Sequence, residues 1–201
     1  MKLILTVIVT ALVFFALQRF FPTEEDFEIY ETTVRLHVIA NSDSEEDQEL
    51  KLKVRDAILE TVADFKPTSK EDALKKIEKY EDELCEIAKT VIKNNGKDYP
   101  VSIEVGTELY PTKYYEDFAL PAGEYTSVRI VIGEGEGKNW WCVLYPPLCT
   151  DSALKYSEEE SVQVGLSKEQ YNLITSNESG NYRVKFRLLE IAAEVFGFKY
   201  D

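Results

Sequence analysis

His37 is the only histidine in the 201-residue chain, so a Ser-His-Asp or Cys-His mechanism would have to run through it. The groups it could use are the Asp43 carboxylate and a reduced Cys142 thiol, and together they define one reading, an extracytoplasmic hydrolase built on His37. No nucleophile motif accompanies the histidine, so a hydrogen-bonded structural role or a contact to a partner protein is the simpler use of it. Gly133-Glu-Gly-Glu-Gly-Lys138 invites comparison with a phosphate-binding loop. That pattern needs Gly where Ile132 stands, Ser or Thr where Asn139 stands, and a helix to follow. Two glutamates inside the loop would also repel phosphate. One His and three Cys without CxxC or HxxxH spacing assemble no conventional zinc site. The residues therefore point to no catalytic constellation, no cofactor and no metal site of His and Cys, which leaves carboxylate sites open.

Cys142 and Cys149 are far enough apart that an extended run would separate them by over ~20 Å, beyond disulfide reach. Pro146-Pro147 lies between them and can reverse the chain. A local Cys142–Cys149 disulfide is the preferred reading, with two buried free thiols as the alternative. Cys85 is then left as a small core residue. Trp140 and Trp141 are neighbours in an apolar run, so in a strand they point to opposite faces and cannot fill one core layer. One packs inside. The other, beside a Gly-rich turn, is a candidate anchor for a protein partner, because aromatic anchors dominate interface energetics. The expected partner-binding set is His37, Asn41, Asp43, Gly133, Gly135, Gly137, Asn139, Trp140 and Trp141.

Several elements must position these groups. Val34, Leu36 and Val38 alternate with Arg35, His37 and Ile39, which makes a strand with one apolar face. Ser44 with Asp47 forms a capping signal for a helix whose stripe of Leu50, Val54, Ala57, Ile58, Val62 and Phe65 runs to Lys66-Pro67. Ser69 with Asp72 repeats the signal for a second helix, carrying Leu74, Ile77, Leu84, Ile87 and Val91 to an Asn95-Gly96 stop. Val101, Ile103 and Val105 mark the next strand. Val128, Ile130 and Ile132 alternate before the Gly-rich turn, and the apolar run Trp140–Tyr145 follows it, which reads as two strands joined by a hairpin loop. The expected fold is α+β: a small antiparallel sheet, two helices inserted after the first strand, and a C-terminal helix over Arg187–Phe196 packing on the sheet.

Length and a 44% hydrophobic content provide for one core of ordinary size. The formal net charge of −14 argues against nucleic acid and against anionic lipid or cell-wall polymers, which need clustered Lys and Arg. Near the N-terminus, LILTVIVTALVFFAL carries no charge. As a helix it spans about 22 Å, short of a ~30 Å hydrocarbon core and suited to a signal-peptide core. No clean small-x-small cleavage site follows, so residues 1–21 read as a signal peptide or an uncleaved signal anchor. Lys2 on one side and the acidic residues 24–26 on the other place the body outside the cytoplasm. Residues 22–31 read as an acidic linker, 32–149 as the core domain, and 150–201 as a C-terminal extension with an acidic loop and the closing helix.

Two motifs carry a family likeness. Leu36-His-Val-Ile-Ala-Asn-Ser-Asp43, followed by a charged amphipathic segment, and GEGEGKNWWCVLYPPLC over residues 133–149 together resemble the stage II sporulation protein R family. The resemblance covers residues 30–149. It implies an exported forespore signal, acting by binding in the space between forespore and mother-cell membranes. Its implied partner is a membrane-embedded protease, stage II sporulation protein GA, that cuts the precursor of the mother-cell sigma factor E. It implies no catalytic residues in this chain, no small-molecule substrate and no nucleic acid.

Overall fold

The computed structural model describes residues 24–115, 118–148 and 165–175, with positions 4, 6–10, 14, 162 and 187. Along the chain the elements are α1 (Glu24–Thr32), β1 (Val34–Ile39), α2 (Glu45–Ala63), α3 (Lys70–Lys79), α4 (Glu81–Asn94), β2 (Val101–Tyr110), β3 (Lys113–Tyr114), β4 (Ala119–Leu120), β5 (Gly123–Ile132), β6 (Asn139–Tyr145) and α5 (Lys168–Thr175). The class is α+β, as expected. The described residues fall into two compact units, one holding Tyr30–Glu108 and Glu124–Ser167, the other Leu109–Gly123 with α5 and the chain up to Ile29.

In the larger unit, the strand with alternating apolar residues is the centre of the sheet. The sheet order is β2-β5-β1-β6. β1 pairs parallel with β5, Leu36 opposite Val128, and antiparallel with β6, Leu36 opposite Cys142. Two expectations are thereby corrected. The sheet is mixed rather than antiparallel, because the helices between β1 and β5 give the chain length to return in the same direction. And β5 and β6 do not form a hairpin, because β1 lies between them. Residues 133–138 must therefore step over two strand spacings, about 9.5 Å, which a linker with a reach of about 20 Å does easily. Alternation alone cannot tell a hairpin from this bridge.

The helices form where their caps say. Ser44 Oγ accepts from the Asp47 N–H at 3.2 Å, and Glu45, Glu46 and Asp47 fill the first turn, where the helix dipole favours negative charge. Ser69 caps α3 through the Asp72 N–H at 3.1 Å. The single helix expected after Ser69 is broken into α3 and α4 at Tyr80 (φ −107°, ψ 13°). Tyr80 stacks on Phe65 with ring centroids 4.9 Å apart, and Glu81, Asp82 and Glu83 open a fresh first turn behind it. Leu50, Val54 and Ile58 of α2, Ile77 of α3, and Leu84, Ala88 and Ile92 of α4 form one core with Val34, Leu36, Val38, Val128, Ile130, Ile132 and Leu144 of the sheet. Each such side chain contributes about 1.5–3 kcal/mol by leaving water, so the core face of β1 is fixed and Arg35, His37 and Ile39 are left on the other.

In the smaller unit β3 pairs antiparallel with β4, and Tyr115 stacks on Phe118 at 4.4 Å. α5, not anticipated from the sequence, lies against β4. The acidic stretch expected as a linker is helical at α1. Among the described residues no helix is long and apolar enough to cross a membrane. Most of the segment expected as signal peptide or anchor, the acidic loop after Cys149, and the closing helix beyond Arg187 lie outside the described residues.

Candidate functional site

The two motifs meet at the C-terminal end of β1. As the chain leaves β5, Gly133 donates its N–H to the Pro100 carbonyl at 2.8 Å, which sets the end of β5 beside the start of β2. The linker then lies on the residues following β1. Glu134 N–H reaches Asn41 Oδ1 at 3.0 Å, Glu136 N–H the Asn41 carbonyl at 3.2 Å, and Gly137 N–H the Ala40 carbonyl at 2.9 Å. Lys138 N–H bonds to Asp43 Oδ1 at 2.7 Å. Four backbone donors are thus satisfied by one short stretch of chain. The glycines are what allow the approach: a Cβ on Gly133 (φ +61°) would stand 2.1 Å from Asn41 Oδ1, and one on Gly137 2.3 Å from the Ser42 carbonyl oxygen. In the fold, Gly133 and Gly135 supply positive φ, and Gly133 and Gly137 leave room for the residues after β1.

Beside this seam lies a polar network with little signature in the residue pattern. Asp47 is buried, and its Oδ2 accepts from the Ser42 hydroxyl at 2.6 Å and the Asn41 amide at 2.9 Å. Burial by itself would raise the Asp47 carboxyl, but hydrogen bonds from Asn41, Ser42 and Tyr99 and the charge of Lys97 outweigh it and hold the group below the usual Asp value. Gln48 donates to the Ser42 carbonyl at 2.9 Å. The buried Lys51 amine donates to Gln48 Oε1 at 2.7 Å and to the Lys138 carbonyl at 2.8 Å, tying α2 to the linker. Burial pushes that amine down from the usual lysine value, against the opposing pull of Asp43. Asp47 was legible only as a capping residue; its second role depends on Asn41 and Ser42 turning back over it.

The acid sensitivity of the seam follows. Because the folded Asp47 carboxyl lies below its ordinary value, its stabilisation is complete above the usual Asp range, near 3.9, and is lost as pH falls through the folded value. Asp47→Ala, which strands the Asn41 and Ser42 donors, is expected to cost about 2 kcal/mol at neutral pH. Asp47→Asn keeps an acceptor but does not titrate. Denaturant midpoints taken between about pH 6 and pH 2 should fall more steeply for the native chain than for Asp47→Asn; parallel profiles would show that Asp47 contributes no acid dependence.

The remaining expected site residues divide by face, since residues opposite one another in a ladder share a face. Trp140 lies opposite Val38 and packs against the core, under the Arg55 guanidinium 4.8 Å from the ring centroid. Trp141 lies opposite His37 on the other face, with ring centroids 5.6 Å apart. Asn139 is paired with Ile39 at the linker's exit. His37 is 5% exposed, and its Nδ1 lies 3.2 Å from Glu108 Oε1. Glu108 is also within 3.7 Å of Arg129, the residue beside His37 on β5, and Arg129 pairs in turn with Glu104. So His37 meets Glu108 and not Asp43, whose carboxylate holds Lys138. Cys142, opposite Leu36, shares the core face instead of the His37 face. Neither arrangement imagined for a hydrolase is assembled. Glu108 and Arg129 were invisible as a pair with His37 because only the β2-β5-β1 strand order and the parallel β1–β5 register bring them together. Among the described residues no group of three or more His, Cys, Asp or Glu is placed to hold a metal ion.

The chain matches the family model for stage II sporulation protein R over residues 30–155, which takes in both motifs and the whole seam between them. It is 38% identical over 143 residues to stage II sporulation protein R of Bacillus subtilis (strain 168), an alignment that covers 70% of this chain and 62% of that relative. The chain thus matches less than two thirds of the relative's length. No solved structure matches. With the two motifs joined in one hydrogen-bonded seam, the chain belongs to the stage II sporulation protein R family, a family of sporulation proteins.

Proposed function

We propose that this protein is an exported signal in endospore formation. It acts by binding, in the space between forespore and mother-cell membranes, and activates the membrane-embedded protease that processes the sigma factor E precursor. The apolar N-terminal segment takes it there and is either removed or kept as an anchor. What supports this reading is the family match over residues 30–155 together with the convergence of the two motifs at the C-terminal end of β1, where the linker N–H groups are held by residues 40–43. The protein has no turnover of its own. Its partner-facing surface comprises the linker with Glu134 and Glu136 and the adjoining Trp141, with His37 buried beside that ring. Cys142 pairs with Cys149, which lies outside the described residues. In support, Cys85 is a free thiol while Cys142 is not, and Leu148 N–H turns back to the Pro146 carbonyl at 2.7 Å.

Reconstitution tests the reading. The full chain, the stage II sporulation protein GA protease and the sigma factor E precursor are combined in membranes. Precursor cleavage is expected to depend on the chain, and His37→Ala is expected to abolish no hydrolytic activity of the chain alone. A chain that hydrolyses substrate without the protease, and loses that turnover in His37→Ala, would sink the binding reading.

A further inference from the structure

β2 forms one edge of the four-stranded sheet, and among the described residues no strand pairs along its outer side. Ser102, Glu104, Val105, Gly106 and Thr107 are exposed along it, Val105 by 51%. Folded proteins normally blunt an uncovered edge of this length, because its free N–H and C=O groups are a template for another strand. Their direction follows from a bond already described. The Pro100 carbonyl is turned toward β5, where it accepts from Gly133. Backbone groups alternate along a strand, so the N–H and C=O of Ile103, Val105 and Thr107 point away from β5.

Gly106 adds an independent observation. A glycine inside a strand costs about 0.5–1 kcal/mol relative to Ala, and Gly133 and Gly137 answer a demand of the fold that offsets it. At Gly106 the backbone is not left-handed, and an added Cβ would meet nothing within 4 Å. The fold has no need of glycine there; a second backbone coming close has.

Resting on the binding function proposed above, we infer that the outer edge of β2 over Ser102–Glu108 receives an extended segment of the protease as an added strand. The chain's net charge of −14 calls for Lys or Arg in that segment, with an apolar residue against the exposed Val105. A second copy of this chain fits poorly. Two β2 strands paired antiparallel about Gly106 would set Glu104 of each copy against Glu108 of the other, and like charges directly opposite are destabilising.

Hydrogen exchange on the unmutated full chain is the test. The Val105 and Thr107 amides should exchange freely in the chain alone and slow about tenfold or more with the protease bound. Val105→Pro removes one outward donor and should weaken binding and protease stimulation about tenfold. If that variant does not fold, the exchange result decides alone. Should the native chain stimulate the protease while both amides stay open, or folded Val105→Pro act like the native chain, the edge inference falls and the proposed function stands. Absence of any binding or stimulation by the native chain removes both. Protection that grows with chain concentration without protease makes a second copy the occupant and overturns the inference.

Discussion

Gly137→Val is expected to lower the unfolding free energy by about 3 kcal/mol, at the upper end for forcing atoms into a filled site. The cause is local. A Cβ at this position stands 2.3 Å from the Ser42 carbonyl oxygen and 2.8 Å from the Ala40 Cβ, and the Ser42 contact is with backbone that cannot rotate out of the way. Nor can the linker simply lift, because Gly137 N–H is bonded to Ala40 and Lys138 is held from both sides by Asp43 and Lys51. Gly106→Ala serves as the comparison and should leave stability unchanged or raise it by up to about 1 kcal/mol, since the fold leaves that site open. Denaturant midpoints at unchanged slope report both values. A Gly137→Val midpoint equal to the native one would mean that the linker is not seated on the end of β1.

The two tryptophans are expected to fail in opposite ways. Trp140→Ala should cost about 3 kcal/mol of folding free energy, the low end for a buried aromatic, because the ring is half-buried against the core and covered by Arg55. Trp141→Ala should cost less, about 1 kcal/mol, since its ring, partly buried like that of Trp140, lies on the face opposite the α2–α4 core, beside His37. If that face meets the protease, the same change should cost about 2 kcal/mol of affinity, roughly thirtyfold, as loss of an interface anchor does. Denaturant midpoints and stimulation of precursor cleavage, measured on both variants, separate the roles. A folded Trp141→Ala that stimulates normally would move the partner to another surface; an unstable Trp141→Ala would make this face part of the core.

What the sequence determined by itself was local. Alternation at Val34, Leu36 and Val38 marked β1 and the face that meets the helices, because a period of two admits one apolar side. Ser44 and Ser69 marked two helix starts, because a capping hydroxyl needs only the amide three residues on. Adjacent tryptophans had to part to opposite faces for the same reason of period, though which one met the helices was open. The family likeness was legible because it lies in residue identity. The tertiary structure decided everything that rests on pairing across long separations. Periodicity is blind to which strand lies next to which, so the insertion of β1 between β5 and β6 could not be foreseen from either strand. From that one insertion follow the seating of the linker on Asn41 and Asp43, the requirement for Gly133 and Gly137, and the meeting of His37 with Glu108 and Arg129. The glycines were visible in the sequence; that two of them stand where the fold leaves no room for a side chain, while Gly106 stands in open space, is a property of neighbours that only folding supplies.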